Sequence, residues 1–349
     1  MNVLSKRSVL SLVGMSVAVT IGGFVGCGGD DSVAAINGDD GGASDGSSND
    51  GGSGDGSSNP DGAPNDDGGI TDGGSDGGPR TKSIGYVVFN QTNTAGPFYN
   101  NSASAAFSVL PASYDLECAG FGTVTKPTAS TASCSIKVCT DPVSADAGTV
   151  DAGDAGPVIA PNTGDITLKS AVDTTGFVLA ANANGTYTTA TATGEWWAAA
   201  DNTVEVKSNG STGSIPPFDD AALIGPGDIS QLKFNGNNAP PTIGTTAFDR
   251  GTALAITYSG GTTGTKLRVL LTTTSSAQKS IIACDFDAAN GVQSIAAADL
   301  GHLEQANNAG IAGAFTAQAR TIKTTTAGDF TFNVTLGAAT HSGAFTNTN

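Results

Sequence analysis

Ser133-Cys134-Ser135-Ile136-Lys137-Val138 alternates polar and apolar side chains without a break. A period of two places Cys134, Ile136 and Val138 on one face of an extended strand and the polar residues on the other. The same signature recurs on both sides. Ile84-Gly85-Tyr86-Val87-Val88-Phe89 reads as a first, largely buried strand. Further strands are expected over 165–171, 176–181, 185–190, 194–198 and 203–207, then over 229–234, 252–258, 266–272, 279–286, 317–324 and 329–336. Turn pairs such as Asn184-Gly185 and Asn209-Gly210 separate them at hairpin spacing. One segment reads as a helix, Ile295 to Gln305, N-capped by Ser294, with Ile295, Leu300 and Leu303 towards the core. Many short strands with little helix predict an all-β fold, an antiparallel β-sandwich, one large or two stacked. The region 81–349 is long for one sandwich, and Pro240-Pro241 marks a sub-boundary near 240.

The chain before this region has another character. From Gly28 to Pro79 there is no Lys, no Arg and no aromatic residue, and 12 of the 32 acidic residues lie between Asp30 and Asp76. This segment therefore carries most of the net charge of -17. Such a composition cannot bury enough apolar surface to offset its ordering entropy, so residues 27–80 are read as a disordered linker. Its end-to-end distance is roughly 40 Å, and charge repulsion extends it further. The aspartates keep neither the register of an EF-hand loop nor a nine-residue calcium repeat. A smaller copy of this composition, Ser144 to Gly164, reads as a disordered surface loop between strands.

Ahead of the linker, Lys6 and Arg7 precede an apolar run from Val9 to Val25, and Phe24-Val25-Gly26-Cys27 closes it. That order is a secretory signal over 1–26. The run is only marginally long enough to span a membrane and is interrupted by Gly14, Gly22 and Gly23. A cysteine directly after the small residue resembles the lipobox of bacterial lipoproteins, with Phe24 where Leu is commoner. The resemblance implies that Cys27 carries a diacylglycerol, that the signal is cut before it, and that the new amine is acylated. Two or three chains hold a protein on a membrane for long periods. Gly28 at the next position, where some lipoproteins carry a retaining Asp, implies an outer-membrane destination. Lipobox, Gly/Asp linker, β-rich region and paired cysteines together resemble surface lipoproteins of Gram-negative bacteria. The specific matches are the segment from Ser133 to Cys139 and Ile282-Ala283-Cys284-Asp285-Phe286. The resemblance implies a fold and an address and brings no activity.

Four cysteines remain: Cys118, Cys134, Cys139 and Cys284. An even number in an exported chain implies two disulfides. Cys134 and Cys139 stand roughly 16 Å apart on one strand, too far to bridge, which leaves two pairings. Cys118 and Cys139 lie symmetrically about the turn-rich 126–131, as hairpin partners do, while Cys134 and Cys284 each share a strand face with core residues. Both features favour Cys118–Cys139 with Cys134–Cys284.

Catalytic patterns are missing. Gly210-Ser211-Thr212-Gly213 is one residue short of a nucleophile elbow, and His302-Leu303-Glu304 is not a zinc-protease motif. Gly260-Gly261-Thr262-Thr263-Gly264-Thr265-Lys266 lacks phosphate-loop spacing and reads as a hairpin connection. Glu195, Glu205, Asp219, Asp220 and Asp228 could serve a glycosidase only if two of them faced each other. With no C-x-x-C and only His302 and His341, neither metal nor other cofactor is expected. Asp285-Phe286-Asp287-Ala288-Ala289-Asn290-Gly291 resembles a calcium loop, with its glycine one residue late. Scattered basic residues on an acidic chain argue against nucleic-acid partners. Glu195-Trp196-Trp197 holds both tryptophans; on a strand one faces the core and the other faces out, free to stack on a sugar. The expectation is a non-enzymatic envelope lipoprotein, anchored to the lipid membrane through Cys27. It presents a β-sandwich to an extracellular or periplasmic glycan or protein, with Trp196 or Trp197 in the ligand site. A structural component of the envelope is the alternative, and a carboxylate-dependent hydrolase ranks third.

Overall fold

The structure, a computed structural model, describes residues 81–95, 98–111, 114–142, 160–198, 203–210, 214–240, 245–306 and 310–348. The signal, Cys27, the linker up to residue 80 and residues 143–159 lie outside them. Strands β1 (Thr81–Ala95), β2 (Phe98–Pro111), β3 (Phe121–Thr125) and β4 (Cys134–Pro142) come first. They are followed by β5 (Ile166–Ser170), β6 (Phe177–Leu179), β7 (Ala190–Ala192), β8 (Thr203–Ser208) and β9 (Asp219–Ile224). The second half adds β10 (Ile229–Phe234), β11 (Asn237–Asn238), β12 (Thr246–Asp249), β13 (Leu254–Gly260), β14 (Lys266–Thr274) and β15 (Gln278–Asp287). It closes with β16 (Val292–Ile295), the helical turn α1 (Ala297–Leu300), β17 (Ala312–Ala327) and β18 (Phe330–Thr348).

A ten-stranded sheet runs β3-β4-β15-β14-β17-β18-β1-β2-β7, with β12 beside β18. Two four-stranded sheets, β11-β10-β13-β16 and β6-β5-β8-β9, complete the fold. The fold is all-β and sandwich-like, as the alternation predicts. The large sheet is nevertheless mixed, because β18 runs parallel to β1 and to β12. Those partners come from distant parts of the chain, so no tight turn dictates an antiparallel direction.

The core is double. Val87, Phe89, Phe107, Phe332, Val334 and Leu336 of the large sheet pack with Ile166, Leu168, Val204 and Val206 of the β5/β8 sheet. At the other end Val269, Leu271, Ile282, Phe315 and Phe345 pack with Leu232, Phe234, Leu254 and Ile256 of the β10/β13 sheet. Strand β18 serves both cores, Phe330 to Leu336 in one and Ala338 and Phe345 in the other. Chain segments on either side of residue 240 contribute to each core. Each large apolar side chain buried this way contributes about 1.5–3 kcal/mol.

Several sequence expectations need correction. Residues 185–190 and 194–198 form no strand beyond the isolated Ala181–Tyr187 bridge and Ala190. The expected helix shrinks to one turn: Ile295 ends β16, and the N-cap position is Ala296 rather than Ser294. Leu300 and Leu303 are buried as expected. Strands β2, β3, β9, β11, β12 and β16 are additional, and β7 runs on from Ala190 to Ala192. The low-complexity patch ends before Gly164, since Thr163 is fully buried and bonds Ser208 Oγ at 2.6 Å. Tyr187 donates to Gly164 O at 2.7 Å, and burial pushes its hydroxyl up to about 12.

Candidate functional site

In Ile229-Ser230-Gln231-Leu232-Lys233-Phe234 the apolar positions are 229, 232 and 234, one residue out of strict alternation. The structure resolves the mismatch with a β-bulge: the register against β13 shifts between Ser230 and Lys233, and Gln231 takes φ 52°. Ile229, Leu232 and Phe234 thereby all reach the core, and Ser230 and Gln231 turn outwards. The two-residue turn Asn235-Gly236, both with positive φ, folds β11 back on β10 and sets Asn238 opposite Lys233. Ala239 N then donates to Leu232 O at 2.9 Å, which fixes Pro240 beside the strand. From the large sheet, His341 Nε2 donates to Ile229 O at 2.9 Å.

These elements border an open groove of about 500 Å³ lined by Gln231, Leu232, Lys233, Asn238, Ala239, Pro240 and His341. Its polar groups are two carboxamides, an ammonium and an imidazole; its apolar wall is Ala239 and Pro240. Nine of the twelve lysines and arginines in the described residues bond a carboxylate or a carbonyl oxygen. Lys233 is not among them. Sequence reasoning passed over this groove, although the broken alternation and the Asn-Gly pair were its signal. A second cavity of about 420 Å³, with Lys169, Ser170, Thr203, Glu205 and Ala222 among its lining residues, holds both charge signs, and Glu205 is paired with Lys207 at 2.8 Å.

The tryptophans do not form a site. Trp196 is 2% and Trp197 0% exposed, so the expectation of one outward indole is corrected. The up-and-down argument requires an extended strand, and residues 193–198 bend instead, with Gly194 at φ 107°. Gln91 and Asn101 hold that bend from the large sheet, and Trp197 Nε1 donates to Pro226 O at 3.1 Å.

Cys118 is bonded to Cys139 and Cys134 to Cys284, the pairing that the strand faces favour. Cys134 and Cys284 are direct partners on β4 and β15. The other bridge fastens residues 114–118 to the outer face of the large sheet, where Cys118, Cys139 and Ile281 make a small apolar cluster. Ion pairs complete the fastening. Lys137 bonds Asp115 at 2.9 Å and Glu117 at 2.5 Å, and Arg268 reaches Glu117 at 3.6 Å. Burial opposes the Lys137 charge, but bonds to Glu117 and Asp115 outweigh it and raise its pKa. Burial likewise works against the Asp115 charge, and Lys137 together with the Glu117 N–H more than offsets it, lowering the pKa. Asp285 joins Arg268 at 3.0 Å to Arg320 at 2.9 Å, so the first carboxylate of the calcium-like run is engaged by arginines. Burial, and then the Arg268 charge, pull Arg320 down to about 10.

The remaining carboxylates serve local structure. Asp220 bonds Lys323 and Thr325, and Asp228 accepts from Ala339 N at 2.9 Å. Asp219 stands opposite Lys207 across β8 and β9. Burial, and then the neighbouring carboxylates of Glu195 and Asp228, raise the Tyr99 pKa. Among the described residues no three His, Cys, Asp or Glu side chains gather as metal ligands.

No family model matches the chain, and no curated protein does. Among solved structures the chain is similar to a tetra-tandem repeat from the extending region of a large adhesion protein. That likeness has 19% identity and a TM-score of 0.18, and covers 71% of this chain and 56% of the other. The chain thus spans little more than half the length of that structure. A second likeness is to a 1.5-MDa bacterial ice-binding adhesin, at 13% identity and a TM-score of 0.16, covering 72% of this chain and 75% of that one. At these scores neither fixes a shared topology or a shared site.

Proposed function

We propose that this chain is a cell-envelope lipoprotein that displays a non-enzymatic β-sandwich binding module and receives its ligand in the groove between β10 and β18. The groove carries the reading. Its volume lies within the range of small-ligand sites, and its polar groups converge on one space beside an apolar wall. The anchor rests on Phe24-Val25-Gly26-Cys27, with acyl chains on Cys27 holding the protein at the outer membrane and residues 28–79 acting as a spacer. Among the described residues no helix is long and apolar enough to cross a membrane.

Two measurements test the proposal. Intact mass of membrane-extracted protein should equal the chain from Cys27 plus acyl groups, and Cys27→Ser should abolish the added mass; an unlipidated product would remove the anchor. A glycan array probed with the mature chain and with Asn238→Trp, which fills the groove, tests the module. Signals unchanged in Asn238→Trp would remove the groove as the ligand site.

A further inference from the structure

The groove is selective in its charge. Lys233 stands in it without a carboxylate or carbonyl partner, on a chain of net charge -17 whose other described cations are, but for Lys169 and Lys266, already engaged. An ammonium held on a strand beside its own hydrogen-bonding neighbours is a receptor for an anion, and a charge-assisted bond is roughly twice as strong as a neutral one. The neighbours choose the rest of the ligand. Asn238 offers a carboxamide, donor and acceptor together, and Gln231 offers a second whose Oε1 also accepts from Ser259 Oγ at 3.4 Å; such groups suit the paired hydroxyls of a sugar ring. His341 spends Nε2 on Ile229 O, which fixes the ring and leaves Nδ1 as its remaining polar atom at the groove. Pro240, exposed beside the buried Ala239, supplies a low apolar surface against which the C–H face of a ring can lie.

We infer that the groove binds an acid-bearing saccharide, with Lys233 pairing the acid group and Gln231, Asn238 and His341 reading the hydroxyls. The inference rests on the groove being the ligand site, as proposed above. Lys233 is half-buried on β10, and the bulge and the Asn235-Gly236 turn fix its backbone and that of its neighbours, so the stem of the side chain starts from a set position at the groove. The second cavity does not share this selectivity, because Lys169 and Glu205 place both charges among its lining residues.

The test uses the mature chain on an array of uronate-, sulfate- and phosphate-bearing oligosaccharides, each printed beside its neutral parent, followed by titration calorimetry on the best binder. The expected result is binding to an acid-bearing glycan that weakens about tenfold or more on its neutral parent and by a similar factor in Lys233→Ala. Lys233→Arg should stay within about threefold of the parent protein, and so should Lys266→Ala, an exposed cation outside the groove. Equal binding of acidic and neutral sugars would overturn the charge assignment and leave the groove standing. Equal loss in Lys233→Ala and Lys266→Ala would overturn it in favour of diffuse attraction. Competition by inorganic phosphate as strong as by the glycan would reduce the site to a bare anion site and overturn the saccharide. Binding to no glycan on the array would overturn this inference; a protein ligand whose binding is lost in Asn238→Trp would preserve the groove itself.

Discussion

The carboxamide of Gln91 closes a two-bond ring with the main chain of Trp197: Oε1 accepts from Trp197 N at 3.0 Å and Nε2 donates to Trp197 O at 2.7 Å. The same Oε1 accepts from Trp196 N at 2.5 Å. A side chain on β1 thus does for residues 196–197 what a neighbouring strand would otherwise do. It allows a non-strand segment to lie against the sheet with its polar groups satisfied.

Gln91→Leu should therefore be severe. It strands two N–H groups and one carbonyl in the interior, at about 1–3 kcal/mol for each group left unmade, so a loss of about 3 kcal/mol or more is expected. Gln91→Glu keeps the acceptor and loses the donor, and should fall between the two. Urea midpoints for the three proteins check this; a Leu variant within about 1 kcal/mol of the parent would mean that water replaces the amide.

Gly225 tests the packing beneath Trp197. A Cβ there would lie 2.4 Å from Trp197 Cδ1 and 2.5 Å from Cγ, and the indole has no room to retreat because Trp197 is fully buried. Gly225→Ala should cost about 1–3 kcal/mol or more as overpacking. Gly301→Ala is the matched control: its nearest contact is 3.5 Å, its φ is -58°, and the change should be neutral or stabilising by up to about 1 kcal/mol. Thermal melts of both separate steric strain from any general effect of losing a glycine.

How far the sequence carried the fold depends on how strongly each strand alternates. Strands β4, β8 and most of β14 alternate apolar with polar residues and are legible at once, while β15 is legible from its continuous apolar run Ile281-Ile282-Ala283-Cys284. Strand β2 is not, because its inward face is Asn101, Ala103 and Ala105 before Phe107, and small side chains give little contrast. Large and small residues alternate across the pair: Ala103 and Ala105 stand opposite Phe89 and Val87, and Phe107 stands opposite Gly85, where a Cβ would sit 2.3 Å from the ring. The tryptophan pair misled for the opposite reason, since a strong local signal was read on a strand that does not form. The groove joins residues 112 positions apart, His341 and Ile229, and no local pattern announces such a meeting.

The two disulfides should differ in what they contribute. Cys134–Cys284 closes 150 residues and Cys118–Cys139 closes 21. Loop-closure entropy gives about 5 kcal/mol for the first and about 3 kcal/mol for the second. The double serine variant at 134 and 284 should thus unfold at the lower denaturant concentration. The variant at 118 and 139 should keep both cores and loosen mainly residues 114–118, which hydrogen exchange would locate. Global unfolding of the second variant at the lower midpoint would reverse the assignment.

The fastening of residues 114–118 should also respond to pH, in a direction set by its ion pairs. Asp115 has a lowered pKa, so its contribution is complete above the ordinary aspartate value of about 3.9 and is lost as pH falls through the lower folded value. Lys137 has a raised pKa, so its contribution is complete below the ordinary lysine value of about 10.4 and is lost as pH rises through the higher folded value. Between these limits both charges are present and the segment should hold at constant strength. Exchange protection at Cys118 N, which donates to Asp115 O at 3.0 Å, is the direct readout after correction for intrinsic exchange. Protection should be flat between about pH 4 and pH 10 and fall beyond those limits, as pH passes through the lowered Asp115 and the raised Lys137 values. In Lys137→Met the acid-side fall should shift upward, because Asp115 loses the cation that lowers it and burial then works unopposed by that charge. An unshifted acid limb in Lys137→Met would show that the Glu117 N–H and Lys126 together suffice to hold the Asp115 charge.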